Sequence, residues 1–181
     1  MPVEPNGLTI VYTGHGKGKT TAAIGLTVRA AGNRLRVCFV QFIKGQWKSG
    51  EREVLRSLAP SVELLVTGRG FTLEHLRDPR IPMDIHQDAA ATGWQVAQHI
   101  VADDTYDMVV LDEILGAVSA GLVPLDELLA LVRTKPPRLH VVLTGRGAPP
   151  ELIELADLVS EVQAIKHPYE RGVKAQRGIE F

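Results

Sequence analysis

Six short apolar runs are spaced along the chain, and segments with helical spacing of apolar residues lie between them. The runs are mostly continuous rather than alternating, which is typical of strands that are covered on both faces of a sheet. The strands are predicted at residues 8–12, 36–42, 62–66, 108–111, 140–144 and 158–162. The helices are predicted at residues 19–31, 51–58, 84–102, 125–135 and 149–156. This alternation predicts an α/β fold with a mostly parallel sheet of about six strands and helices on both faces.

The size of the chain favours one domain over residues 1–181. Its 181 residues are 45% hydrophobic, which is enough to bury one sizeable core, and no repeat or low-complexity tract divides them. Residues 67–83 form the one long segment without clear periodicity. Loops of this length that lack regular structure tend to be functional or mobile.

Charge and composition exclude several classes of protein. The 20 basic and 21 acidic residues give a net charge of −1, which argues against broad binding to nucleic acid and requires any anion site to be local. The single cysteine, Cys38, stands inside an apolar run, where a buried core residue is the favoured interpretation. Neither a secretory signal pattern nor eighteen consecutive apolar residues occur, so we expect a cytoplasmic protein that does not contact a membrane.

The loop after the first strand has the composition of a phosphate-binding loop. The usual pattern is G-x-x-x-x-G-K-[ST], in which backbone N–H groups surround the phosphates, the lysine adds charge and the hydroxyl binds Mg²⁺. Gly18, Lys19 and Thr20 supply the G-K-T end, but Thr13 occupies the first position and the first glycine, Gly14, comes one residue late. A glycine turn that merely joins strand to helix is the alternative, and the two lysines inside the loop favour a triphosphate site. The predicted nucleotide-binding residues here are Gly14, His15, Gly16, Lys17, Gly18, Lys19, Thr20 and Thr21.

Two further strand ends carry candidate ligands. The run DMVVLDE ends in Asp112 and Glu113, and with Thr20 this pair would hold Mg²⁺, with Glu113 alternatively binding substrate hydroxyls. A solvated strand end or helix cap is the alternative for these carboxylates. Arg146, after the fifth predicted strand, would lie on the ligand edge of the sheet and grip phosphate, or else stand in solvent as a turn residue.

The residues alone predict a nucleotide site without a reaction, but six segments together resemble one family. These are TGHGKGKTTAA, VQFIKGQWKSGER, TGRGFT, DMVVLDE, VVLTGRG and KHPYERGVKAQRGIEF, which occur in order from about residue 8 to the last residue. They resemble the ATP:corrinoid adenosyltransferases of the bacterial cobalamin-biosynthesis type, which have a phosphate-loop nucleotide-binding fold. The resemblance implies transfer of the 5′-deoxyadenosyl group of ATP to cobalt(I) of a cobalamin- or cobinamide-type corrinoid, with release of tripolyphosphate. It also implies that the loop holds the triphosphate in a reversed sense.

That resemblance assigns further roles. Lys19 would be the catalytic residue, because it stabilises charge on the departing triphosphate, and cobalt(I) is a strong enough nucleophile to need no protein base. Phe71 and Leu73 would lie on the corrinoid, where Phe71 helps to displace the lower axial ligand and Leu73 stands where the family often has tryptophan. Residues 166–181 would close the site, a solvated tail being the alternative.

The resemblance also concerns partners. It implies a homodimer and an electron-donating flavoprotein as the source of cobalt(I). Known members carry an N-terminal helical extension, whereas about seven residues precede the first predicted strand here, so the corrinoid pocket would be more open or completed by another subunit. Two alternatives use the same residues: a small kinase or ATPase, which would release ADP, and a nucleotide-gated corrinoid-binding protein without turnover.

Overall fold

All six predicted strands are present in one sheet. The computed structural model describes residues 6–43, 49–67 and 83–180. Within them the sheet has the order β3-β2-β4-β5-β1-β6, and every neighbouring pair is parallel. Each strand lies within one residue of its predicted bounds. The strands are β1 (Thr9–Thr13), β2 (Val37–Gln41), β3 (Val62–Val66), β4 (Met108–Asp112), β5 (His140–Thr144) and β6 (Leu158–Glu161).

Six α-helices connect these strands in the described part of the chain. They are α1 (Lys19–Gly32), α2 (Gly50–Ser57), α3 (Met83–Ala102), α4 (Ile114–Ser119), α5 (Leu125–Thr134) and α6 (Pro150–Leu155), and a 3₁₀ turn follows at Pro168–Arg171. Five of the helices match the predicted ones to within one residue at each end. The prediction missed α4, because its six residues are too few to show a helical period. None of the helices that the structure describes is long and apolar enough to cross a membrane.

Helices cover both faces of the sheet, which explains why the strands are continuously apolar. On one face, α1 and α2 pack Ala23 and Leu55 against strand residues such as Phe39. On the other face, the helices from α3 to α6 pack against alternate strand residues such as Val40 and Leu111. Burying one such large aliphatic or aromatic side chain contributes roughly 1.5–3 kcal/mol, so the two layers stabilise the sheet from both sides.

The carboxyl ends of the parallel strands meet along one edge of this sheet. β1 lies between β5 and β6, and β5 separates β1 from β4. The loop after β1, the acidic pair at the end of β4 and the loop after β5 are therefore neighbours at this edge. Of the long aperiodic segment predicted at residues 67–83, residues 68–82 lie outside the described residues.

Candidate active site

Close packing against the end of β6 explains the glycines of the loop between β1 and α1. The N–H of Gly16 donates to the carbonyl of Val162 at 2.7 Å. A Cβ atom would lie 2.4 Å from that carbonyl oxygen at Gly14 and 2.8 Å from it at Gly16. The φ angles of Gly14 and Gly18 are 96° and 134°, in the left-handed region that favours glycine. The shortened, glycine-rich pattern therefore fits a loop that packs closely against the end of β6.

Lys19 follows this loop and directs its side chain back into it. It is the first residue of α1 and only 7% exposed, and its ammonium donates to the carbonyls of Gly14 and Gly16, each at 2.8 Å. Burial lowers the pKa of Lys19, the positive charge of Arg146 adds to this, and the carboxylates of Glu113 and Asp112 oppose it. Because an ammonium has three N–H donors, it can hold both carbonyls and still donate to a phosphate oxygen. The charge is thus fixed in place before any ligand arrives.

The hydroxyl of Thr20 is oriented by Asp112. Thr20 is the second residue of α1, and its Oγ1 donates to Oδ1 of Asp112 at 2.9 Å. The Asp112 side chain is completely buried at the end of β4. Because the hydroxyl proton of Thr20 points to this carboxylate, the lone pairs of its oxygen face away from Asp112, where a cation can use them. Asp112 is placed to act on a metal through Thr20 or through water.

Two polar residues that the sequence analysis missed contact Asp112, and a third holds one of them. Thr144, at the end of β5, donates from Oγ1 to Oδ1 of Asp112 at 2.8 Å, and Gln41, at the end of β2, donates from Nε2 to Oδ2 at 3.4 Å. The Nε of Arg52 on α2 donates in turn to Oε1 of Gln41 at 2.7 Å. Gln41 and Thr144 are fully buried, and buried polar groups of this kind require hydrogen-bond partners. Gln41 and Thr144 each end a strand, as Asp112 does, but their contact with Asp112 depends on strand order, which no local pattern of the sequence shows.

Glu113 follows Asp112 with an unusual backbone. Its φ is 62°, in the left-handed region, which costs a residue other than glycine roughly 1–3 kcal/mol. The N–H of Glu113 donates to Oγ1 of Thr144 at 2.9 Å, and α4 begins at the next residue. The side chain is half-buried, and its negative charge acts on Lys19. Backbone strain of this kind is concentrated at functional sites.

Arg146 lies in the loop after β5, which is held against the end of β1. The N–H of Ala148 donates to Oγ1 of Thr13 at 3.2 Å, and the N–H of Gly145 donates to the carbonyl of Tyr12 at 3.2 Å. Arg146 is exposed and close enough to lower the pKa of Lys19 through its charge. The structure therefore brings this predicted phosphate ligand to the edge of the candidate site.

The C-terminal tail returns to the loop between β1 and α1. The ammonium of Lys17 donates to the carbonyl of Ile179 at 2.7 Å, and both residues are exposed. Nearly every tail residue that the structure describes is exposed as well. His15 and Thr21, two other predicted nucleotide ligands, are exposed on the same loop and first helical turn. The tail thus touches the candidate site without belonging to the core.

The structure bears on the predicted metal ligands but not on the predicted corrinoid residues. Phe71 and Leu73, the predicted corrinoid residues, lie outside the described residues. In the described ranges no group of three or more His, Cys, Asp or Glu side chains could hold a metal ion. Thr20, Asp112 and Glu113 offer a hydroxyl and two carboxylates instead, which suits Mg²⁺, since this ion takes few protein ligands and completes its shell with water and phosphate oxygens.

Comparison with known proteins gives one family and several close relatives. The family model described as ATP:corrinoid adenosyltransferase BtuR/CobO/CobP matches residues 5–181. A corrinoid adenosyltransferase of Pseudomonas aeruginosa is 42% identical over 178 residues, covering 98% of this chain and 85% of that protein. The corrinoid adenosyltransferase CobA of Salmonella typhimurium and the corrinoid adenosyltransferase of Escherichia coli K12 are each 42% identical over 180 residues, covering 98% of this chain and 87% of theirs.

Solved structures of more distant proteins share the fold. The flagellar accessory protein FlaH of Methanocaldococcus jannaschii aligns with a TM-score of 0.54 at 14% identity, covering 87% of this chain and 71% of that chain. The ATPase EscN of the enteropathogenic E. coli type III secretion system aligns with a TM-score of 0.51 at 16% identity, covering 92% of this chain and 45% of that chain. At such identities the likeness concerns the architecture alone.

Proposed function

Because the chain belongs to the ATP:corrinoid adenosyltransferase family, it is an enzyme that transfers the adenosyl group of ATP to a corrinoid, and we propose that the loop between β1 and α1 holds the triphosphate as the leaving group. The observation that carries this proposal is the buried ammonium of Lys19, held by two carbonyls of its own glycine loop beside the Thr20–Asp112 pair. The strands and helices that carry these residues belong to one sheet and the helices packed on it, which supports a single domain over residues 1–181.

The chemistry explains why a site that stabilises negative charge is sufficient for this transfer. The electron pair of cobalt(I) forms a bond to the 5′ carbon of ATP, and the C5′–O bond breaks with its electrons remaining on the triphosphate. Negative charge therefore increases on the leaving group, where Lys19, Lys17 and the loop N–H groups stabilise it. Such fixed donors cost no reorganisation during the reaction. No protein base is needed, since the nucleophile carries no proton.

Mg²⁺ is part of the proposal, and the residues present fit it. Thr20 would offer its hydroxyl oxygen to the ion, while Asp112 orients that hydroxyl and Glu113 binds a metal-bound water or a ribose hydroxyl. Bound there, Mg²⁺ would neutralise charge on the triphosphate. Arg146 would add a guanidinium on the side of the loop that faces β5, where its charge already acts on Lys19.

The corrinoid side of the proposal is supported by the resemblance to the family. Phe71 and Leu73 would contact the lower face of the corrinoid, and residues 166–181 would close the site over the nucleotide or corrinoid. The contact between Lys17 and Ile179 supports the second part, because it brings the tail onto the phosphate loop. The same resemblance supports a cytoplasmic homodimer that receives electrons for cobalt reduction from a flavoprotein.

The deciding experiment is product analysis. The protein is incubated with ATP, Mg²⁺ and chemically reduced cob(I)alamin, while the corrinoid spectrum and the phosphate products are followed together. Adenosylcobalamin and tripolyphosphate in equal amounts are expected. ADP as the phosphate product would support a kinase or ATPase instead, and an unchanged corrinoid and nucleotide would support binding without turnover. Lys19→Ala is the control that shows whether the loop carries the reaction.

A further inference from the structure

Thr144 holds two neighbouring residues of the candidate site with a single hydroxyl. Its Oγ1 lies 2.8 Å from Oδ1 of Asp112 and 2.9 Å from the backbone nitrogen of Glu113. The direction of both bonds follows from the chemistry, since an ionised carboxylate has no proton to give and a backbone N–H can only give one. Thr144 therefore donates to Asp112 and accepts from Glu113. The residue is fully buried, so water does not replace these bonds.

The bond to Asp112 extends to the phosphate loop. Oδ1 of Asp112 receives one proton from Thr144 and another from Thr20, so the hydroxyls at the end of β5 and the start of α1 meet on one oxygen atom. A carboxylate oxygen that accepts two hydrogen bonds from different elements has little freedom to rotate. The orientation of the Thr20 hydroxyl thus depends on Thr144 through Asp112.

The bond to Glu113 acts on a strained backbone. The φ of 62° at Glu113 is unfavourable for a side chain of its size, and the surrounding structure must hold it there. A buried N–H without an acceptor would add a further penalty, which the Thr144 oxygen removes. This backbone conformation leads into α4 and leaves the Glu113 carboxylate near enough to Lys19 to oppose the lowering of its pKa.

We propose that Thr144 is a positioning residue, which orients the Thr20 hydroxyl and the Glu113 carboxylate for binding a magnesium–nucleotide complex. The proposal rests on the proposed function, because it concerns the same site. It differs from a packing role, since a valine would fill the same volume as Thr144 without making either hydrogen bond.

The test compares Thr144→Val with Thr144→Ser, which keeps the hydroxyl. A matched control is Thr27→Val, which removes another fully buried threonine hydroxyl, one that donates to the Ala23 carbonyl within α1 at 2.9 Å. ATP binding to the full chain is measured by calorimetry across a range of Mg²⁺ concentrations, and transfer to prereduced cob(I)alamin is measured in parallel. Groups that orient metal ligands change metal affinity about 10- to 100-fold. Thr144→Val should therefore raise the Mg²⁺ concentration for half-maximal ATP binding about tenfold or more. For Thr144→Ser and Thr27→Val this concentration should stay within about threefold of the parent value.

Equal Mg²⁺ requirements in Thr144→Val and Thr144→Ser would overturn the proposal, as would ATP binding by the parent that does not depend on Mg²⁺. If Thr144→Val does not fold, Thr144→Cys replaces it, because a thiol is a weaker hydrogen-bond donor and acceptor than a hydroxyl. An intermediate increase in the Mg²⁺ requirement of Thr144→Cys supports the proposal, and a parental requirement overturns it. If the parent binds Mg²⁺ and ATP but transfers no adenosyl group, the proposed function fails while the binding comparison still decides the role of Thr144.

Discussion

The hydroxyl of Thr20 donates a hydrogen bond of 2.9 Å to Oδ1 of Asp112, although 92 residues separate the two in the chain. The bond joins the first turn of α1 to the end of β4 across the intervening β5. The carboxylate at the end of β4 thereby sets the direction of a hydroxyl in the first turn of α1.

Asp112→Asn is expected to weaken Mg²⁺ binding. The amide keeps the shape of the side chain but removes its charge, and its Nδ2 would face Nε2 of Gln41, so that two donors meet at a distance of about 3.4 Å. We expect the Mg²⁺ requirement of adenosyl transfer to rise about 10- to 100-fold, as for other groups that orient metal ligands. Magnesium titrations of the initial rate check this. An unchanged Mg²⁺ requirement in the folded variant would show that Asp112 does not act on the metal.

Lys19→Ala is expected to lose about 2–4 kcal/mol of transition-state stabilisation, which corresponds to about 30- to 1,000-fold in kcat/KM. The reason is that its ammonium is fixed inside the loop, where the triphosphate is proposed to bind and to gain negative charge. Lys17→Ala is the comparison and should lose less, since the exposed ammonium of Lys17 also contacts the tail and is not fixed inside the loop. Steady-state kinetics with prereduced cob(I)alamin measure both. Near-parental turnover by folded Lys19→Ala would remove the phosphate-loop assignment.

Deletion from Lys166 onward is expected to damage substrate binding far more than stability. The described residues of this tail are mostly exposed, so little core packing is lost, whereas its contact with Lys17 lies on the phosphate loop. KM values for ATP and for the corrinoid should rise while the melting temperature changes little. A truncated protein with parental kinetics would show that the tail is only a solvated extension.

Phe71→Ala is expected to separate two assays, because Phe71 is proposed to act before the transfer step, when cobalt(II) is made reducible. The reaction that starts from cob(II)alamin with a mild reductant should be abolished or sharply weakened. The reaction that starts from prereduced cob(I)alamin should stay much closer to normal. Equal losses in both would indicate a folding or nucleotide defect.

Leu73→Trp is the reciprocal test of the same hypothesis. It restores the aromatic residue that the family often has at this position, so it should strengthen the cobalt(II) reaction selectively. The ratio of the two rates, from cob(II)alamin and from cob(I)alamin, is the quantity to compare with the parent. A ratio that does not increase would mean that this protein displaces the axial ligand by other residues.

His140 should make stability depend on pH. Its Nδ1 accepts the N–H of Leu8 at 3.0 Å, and burial, assisted by the charge of Lys135 and opposed by Asp107, lowers the pKa of the ring below 6.5. As the pH falls through 6.5, the unfolded chain takes up a proton before the folded one does, so the free energy of unfolding decreases, and above 6.5 the contribution is fully present. His140→Asn keeps an acceptor that does not titrate. Urea unfolding from about pH 7.5 to about pH 5 should therefore show a smaller loss for His140→Asn than for the parent, and equal losses would contradict this assignment.

The sequence predicts the strands so well because each is buried on both faces, which leaves continuous apolar runs. It also predicts that Lys19, Thr20 and Asp112 belong to one site, because a glycine loop and an acidic strand end are local patterns, and the structure brings these three residues together. Gln41 and Thr144 could not be found in this way. Their contact with Asp112 depends on β2 and β5 being the two neighbours of β4, and strand order is a property of the whole sheet.

The structure also distinguishes residues that the sequence treats alike. Asp112 and Glu113 are adjacent and both acidic, yet one is fully buried under Thr20 and the other is half-buried with a left-handed backbone. Lys17 and Lys19 are two residues apart, but only Lys19 points into the loop. Side-chain direction at a turn depends on backbone angles that composition does not specify.

The position of β1 between β5 and β6 bears on how the protein is synthesised. Chains are made from the N-terminus, so β1 emerges first, but the two strands that hydrogen-bond to it are the last two to follow. The hydrogen bond that holds the loop between β1 and α1 can form only later still, because the carbonyl that accepts the N–H of Gly16 belongs to Val162. A nascent chain therefore cannot hold this loop in its final position until the ribosome has passed residue 162, and a product that ends before this residue lacks the contact.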